Sequence, residues 1–156
     1  MSASARNQNC RPPRWDSRRA VQAEAAAPEA ASAGSPRVEK VNLAEKFARF
    51  SAHWTPKVVG ELNGQHVKLA KLLGPFVWHH HESEDELFLV VKGRLRIDFR
   101  DKTVELEPGE LLIIPRGVEH RPVADEEVQV LLFEPASTLN TGNVQGALTA
   151  EHLEYL

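Results

Sequence analysis

An all-β sandwich or barrel is the architecture this sequence predicts, on three observations. Between residues 57 and 133, apolar and polar residues alternate in about nine short runs, the period at which strand side chains point to opposite faces. Turn-forming residues punctuate those runs at regular intervals, as Asn63-Gly64, Lys92-Gly93, Glu107-Pro108-Gly109 and Pro115-Arg116-Gly117. Helical periodicity, by contrast, is confined to one short segment ahead of the first run.

Taken in order, residues 1–37 stand apart by composition. They carry six Arg against Asp16, Glu24 and Glu29, a net of +3 in a chain of net −3, so the remainder is −6. An Ala-rich run over 20–33, broken by Pro28, leads into Gly34-Ser35-Pro36. Apart from Trp15 and Val21 there are few large apolar side chains here, so burial cannot offset the entropy of ordering. The region is expected to be a disordered extension. Its Arg-rich, acid-poor start resembles an organellar transit peptide, which would place the protein in an organelle matrix. The preferred alternative is an extension upstream of a cytoplasmic protein that begins near Val38.

Asn42-Leu43-Ala44-Glu45 has the layout of a capping box, and Leu43, Phe47 and Phe50 share one helical face, predicting a short helix over 43–52. Strands are then expected at 57–62 and 65–72, joined by the Asn63-Gly64 hairpin, and at 76–81, 86–91, 94–99, 103–106, 111–114, 119–123 and 128–133. This sets a domain of residues 38–136 and a tail of residues 137–156, with a last helical turn after Thr149.

Several function classes lose support on composition alone. The acidic remainder gives no electrostatic reason to bind nucleic acid, which needs clustered Lys and Arg. No run of about 18 apolar residues suggests a membrane span. Cys10 is the only cysteine, so no internal disulfide forms. Phosphate loops, a nucleophile elbow and a Cys–His pair are absent.

The stretch from Trp78 to Gly93 carries the chemistry. His79 and His81 are two residues apart, so on extended backbone they share a face, roughly 6.6 Å apart, while His80 and Trp78 face the other way. A reversal at Ser83-Glu84-Asp85 would return Glu86 to their side, and a third imidazole follows at His120. Three imidazoles and one carboxylate suit one divalent transition metal such as Fe, Mn, Zn, Ni or Cu.

These residues are similar to the two motifs of the cupin superfamily. His79, His81, Glu86 and Gly93, with Gly74 ahead of them, match the first; Gly109, Pro115, Gly117 and His120 match the second. Val123 and Ala124 stand where the family often has an Asn that is not a metal ligand. The short stretch Asn140-Thr141-Gly142 further resembles the tail of small, phosphomannose-isomerase-like members. The resemblance implies a double-stranded β-helix, or jelly-roll barrel, with His79, His81, Glu86 and His120 holding a metal in its mouth. It implies a small-molecule ligand and a homodimer. It leaves open an isomerase or lyase, a dioxygenase acting on a small polar metabolite, and a non-catalytic binding or storage module. Glu84, Asp85 and Glu119 are expected on exposed turns. His66, Arg94 and Arg96 would reach a bound ligand only if they point inward.

Overall fold

Asn63 and Gly64 turn the first hairpin with positive φ angles of 52° and 78°, a conformation that Asn tolerates and Gly adopts freely. The computed structural model describes residues 38–156, so the expectations for residues 1–37 lie outside the described residues. Residues 39–156 form one compact unit. The elements are α1 (Leu43–Phe47), β1 (Lys57–Leu62), β2 (Gln65–Pro75), β3 (Glu86–Lys92), β4 (Leu95–Phe99), β5 (Thr103–Leu106), β6 (Leu111–Ile114), β7 (His120–Pro135) and β8 (Glu154–Tyr155).

The fold is a jelly-roll barrel organised by β7. Along one edge β7 pairs antiparallel with β2 for most of its length, from Gln65↔Pro135 to Pro75↔Val123. Its other edge is shared, with residues 120–123 pairing β4 and residues 129–133 pairing β3. β5 extends β4, and β6 extends β3. β7 is therefore the branch point of one eight-stranded sheet, and Ala70, Leu72, Phe88, Val90, Leu95, Ile97, Leu106, Ile114, Val128, Val130 and Leu132 form the core cluster of buried residues.

Two of the expected strands, 119–123 and 128–133, are one element. Asp125, Glu126 and Glu127 do not end the strand; they bulge outward, exposed, where the β2–β7 register shifts between Leu72 and Gly74. Gly93 lies under this bulge with φ +85°, and a Cβ there would stand 2.9 Å from the Glu127 carbonyl oxygen. The segment 76–81 is not a regular strand. It is held by an antiparallel bridge between His79 and His120, with each amide donating to the other's carbonyl.

α1 ends at Phe47, earlier than expected, although its cap is as read: Asn42 Oδ1 accepts from the Glu45 amide at 3.3 Å, and Asn42 Nδ2 donates to Glu45 Oε1 at 3.0 Å. Phe47 is buried at 2% exposure. At the other end, no helical turn follows Thr149. Residues 154–155 instead pair parallel with β1, and the Leu156 amide donates to the Val58 carbonyl.

Candidate metal centre

The barrel interior brings together the four residues the motifs single out. His79 and His81 come from the extended segment after β2, Glu86 opens β3 and His120 opens β7; all four are buried. One ligand atom from each lies within 4.8 Å of the others. His81 Nε2 and His120 Nε2 each stand 3.3 Å from Glu86 Oε2. None of these three atoms has a hydrogen-bond partner, although all are buried. Polar atoms buried without partners are costly, and three converging on one point fit a cation that would receive their lone pairs.

The second nitrogens of the rings support the same arrangement. His79 Nδ1 lies 3.1 Å from the Val77 carbonyl oxygen, and His120 Nδ1 lies 2.9 Å from that of Val118. A carbonyl only accepts, so each Nδ1 carries the proton and each Nε2 is left as a ligand. Burial, reinforced by the neighbouring His120, lowers His79 to about 4 and keeps it neutral at ordinary pH. Burial also works against protonation of His81, but the Glu86 carboxylate beside it outweighs that and the net shift is upward. Burial alone would raise the Glu86 carboxyl, yet the imidazoles of His120 and His81 prevail and hold it down at about 2.

The tail over 140–143 clamps the histidine segment from outside. The His80 amide donates to Asn143 Oδ1 at 2.9 Å, and the Asn143 amide returns a bond to the His80 carbonyl at 3.1 Å. The Gly117 amide, from the second motif, donates to the His81 carbonyl at 2.7 Å. Gly142 has φ +50° and leaves no room for a side chain against His80.

On the side of His79 and Glu86 the cluster opens onto a pocket lined largely by apolar side chains, among them Ala70, Leu72, Phe76, Phe88 and Leu132. Its free space is about 380 Å³ with the open mouth included, while the room in which a water molecule can move is about 30 Å³. Trp54 forms one wall, with φ +57°, its ring stacked 4.6 Å from that of Phe76 and its Nε1 donating to the Leu73 carbonyl.

Three lining or supporting residues escape a reading of the sequence: Trp54, Lys68 and Glu134. Lys68 Nζ and Glu134 Oε1 are 2.8 Å apart inside the barrel, each side chain 1% exposed. Burial and the nearby Glu86 raise the Glu134 carboxyl to about 7, against the pull of Lys68. The signal was parity, since Glu134 continues the inward series Val128, Val130, Leu132 and Lys68 alternates with Val67 and Leu69.

The other candidates lie elsewhere. Arg94 pairs with Glu107, and Arg96 with Asp98 and Asp125, on the outer face. Asp85 receives the Arg116 amide, Glu119 binds Arg100, and Glu84 accepts from Ser137. His66 points inward but faces Tyr155 and Glu61 rather than the pocket. His53 pairs with Glu127. Trp78 is outside the barrel, with the guanidinium groups of Arg100 and Arg121 at 3.9 and 5.0 Å from its ring.

Fold and site together define a small jelly-roll barrel with a buried cluster of three His and one Glu capable of holding a metal. Residues 67–134 match the family model described as a cupin domain. A cupin-2 domain containing protein from Shewanella frigidimarina superposes with a TM-score of 0.60 at 46% identity, over 61% of this chain and 93% of that one. The chain belongs to the cupin superfamily. Among curated proteins it is 45% identical over 78 residues to the uncharacterized protein YdbB of Bacillus subtilis, covering 49% of this chain and 63% of that protein. It is 29% identical over 97 residues to an acireductone dioxygenase of Yarrowia lipolytica, covering 59% of this chain and 56% of that enzyme. The chain thus spans less than two thirds of the length of these curated relatives.

Proposed function

We propose that His79, His81, Glu86 and His120 bind one divalent metal, and that the protein is a metal-dependent enzyme acting on a small ligand in the adjoining pocket. The observation that carries this reading is the convergence of three buried, unpartnered ligand atoms beside an open pocket. A metal bound there would supply Lewis-acid polarisation of a ligand oxygen or activation of dioxygen. The donor set suits iron, manganese, nickel, copper or zinc. The chain's own part is to hold the imidazoles in one tautomer, to exclude bulk water with Trp54 and Phe76, and to offer a largely apolar wall. Such a wall favours a ligand that is polar toward the metal and apolar elsewhere.

The name of the Yarrowia relative favours the dioxygenase branch over an isomerase or lyase. Screening small metabolites against iron-, manganese- and zinc-loaded protein, in air and without oxygen, tests both. Turnover only with oxygen establishes the dioxygenase, and turnover without it the isomerase or lyase. Metal binding with no turnover on any metabolite would favour the binding module instead.

We also propose a homodimer. On the outer face, Ile113, Leu87 and Phe133 lie side by side across β6, β3 and β7, and Leu111, Leu89 and Leu131 form a second row. Leu111 and Ile113 are more than half exposed, and among the described residues β6 pairs only with β3. A second copy covering this face would bury the rows and protect the strand edge.

A further inference from the structure

Glu134 is a carboxylate in the pocket that the ligand cluster does not use. Its Oε1 accepts from Lys68 Nζ at 2.8 Å, and Lys68 also reaches the Thr138 carbonyl oxygen at 3.4 Å. Its Oε2 is buried with no partner, and the side chain lines the pocket together with His79 and Glu86.

A pair placed for stability alone would be unusual in this form. Replacing a buried ion pair by apolar side chains is often neutral or stabilising, and an unsatisfied buried acceptor is costly. The neighbouring polar groups are already committed. Asn140 Nδ2 donates to the Leu148 carbonyl at 2.8 Å and its Oδ1 accepts from the Ala150 amide at 2.8 Å. Trp54 Nε1 is bonded to Leu73. Among the described residues lining the pocket, the buried side-chain oxygens without a partner are Oε2 of Glu86, in the ligand cluster, and Oε2 of Glu134.

We propose that Glu134 is the ligand-contacting acid–base group of this pocket. Its Oε2 accepts a hydrogen bond, and then the proton, from an O–H or N–H of a small ligand whose oxygen atoms face His79 and Glu86. In that step the O–H or N–H bond breaks, the electron pair stays on the ligand, and the proton goes to Oε2. Glu134 becomes a neutral carboxylic acid and keeps its Lys68 bond at Oε1. The substrate class is thus a compact oxygen chelator with an ionisable hydrogen beside its chelating atoms.

This inference rests on the metal reading, so its test separates the two. Cobalt-loaded full-length protein is titrated with acetohydroxamate, a minimal chelator with such a hydrogen. Binding is followed by the visible cobalt spectrum and by calorimetry in buffers of different ionisation enthalpy, which counts released protons. The native protein is expected to release fewer protons per probe than a chain without this carboxylate, because Glu134 retains part of what the probe gives up. Glu134→Gln should retain cobalt, release about one proton per probe and bind about tenfold more weakly, the loss of one charge-assisted hydrogen bond. The double variant Lys68→Met/Glu134→Leu, which leaves no unpaired ion, should behave likewise and covers a folding failure of the single one. Equal affinity and equal proton release in all three, with cobalt bound, overturns the role of Glu134 alone. Failure of the native protein to bind cobalt overturns the metal reading, and this inference with it.

Discussion

Gly142 and His81 are packed so closely that the metal cluster depends on a glycine outside the barrel. A Cβ on Gly142 would stand 3.2 Å from His81 Nδ1 and overlap the carbonyl group of His80, and the residue's φ of +50° disfavours any other side chain. Gly142→Ala should therefore displace the segment that carries both His79 and His81. The expected result is a stability loss of about 1–3 kcal/mol and metal affinity lower by about tenfold or more. Chemical denaturation and competition with a metal chelator measure the two, and an unchanged affinity would show that the tail merely rests on the histidines.

Removing a ligand should act more severely on metal than on fold. His81→Ala and Glu86→Ala each delete a donor from a buried cluster. Elemental analysis should find native protein with one metal per chain and both variants with little or none. Full metal content and affinity in both variants would eliminate the site.

In metal-free protein, His79 should make mild acid more damaging than it is to a chain without that imidazole. Its folded pKa is about 4 against 6.5 in the unfolded chain, so the unfolded state takes the proton first. The stabilisation from His79 is therefore present above 6.5 and lost as pH falls toward 4, by up to about 3 kcal/mol. His81 and Glu134 are shifted upward and act in the opposite sense, so the His79 contribution is read as a difference from a variant that lacks it. Glu86, held at about 2 against 4.5, adds its own loss only at lower pH. Urea unfolding of chelator-treated protein between about pH 7 and pH 4 reads the effect. His79→Gln, with no proton to gain, should lose less stability, or gain more, than the native protein over this range, and an identical pH dependence would clear His79 of any part in it.

Residues 1–37 should be dispensable for folding. Their composition offers few large apolar side chains, and residues 39–156 already form one compact unit. A chain beginning at Val38 is expected to keep the thermal midpoint and metal content of the full protein. Insolubility or loss of metal in that shorter chain would show that the extension contributes contacts.

The cluster was legible because its parts are local or rigidly spaced. His79 and His81 share a face by strand parity alone, and Glu86 needs only one chain reversal to join them. Joining His120 took the two-motif resemblance, since nothing local announces the His79–His120 bridge that brings it in. Lys68 and Glu134 were missed for a physical reason. A charged side chain within a strand ordinarily marks the solvated face, and only the partner five strands on in the sequence makes burial tolerable. The single long β7 was hidden because Asp125-Glu126-Glu127 has the composition of a turn, and the register shift opposite Leu72 and Gly74 is tertiary. Residues 154–155 were misread as helical because a two-residue strand has no periodicity to detect, and its pairing with β1 supplies the order.

The outer sheet face makes the last prediction, that the full-length chain runs in solution as a dimer. Two other apolar features compete as the anchor: the face of Leu43, Phe47 and Phe50, and Trp78. Phe47 is already buried at 2% exposure, and Lys71 Nζ of β2 sits 5.5 Å over the Phe50 ring, so this helix serves its own barrel. Trp78 already carries the guanidinium groups of Arg100 and Arg121 against its ring. The in-register rows on β6, β3 and β7 are the better anchor, with Leu111 at 55% and Ile113 at 56% exposure in one chain. Light scattering should give a mass near twice 17.4 kDa at micromolar concentration. Ile113→Glu places a charge on the covered face, where burial without a partner is costly, and should shift the population to single chains while leaving metal content intact. A native mass that stays at 17.4 kDa across concentrations would assign this face to the monomer surface. A native dimer that Ile113→Glu does not weaken would move the contact to another face.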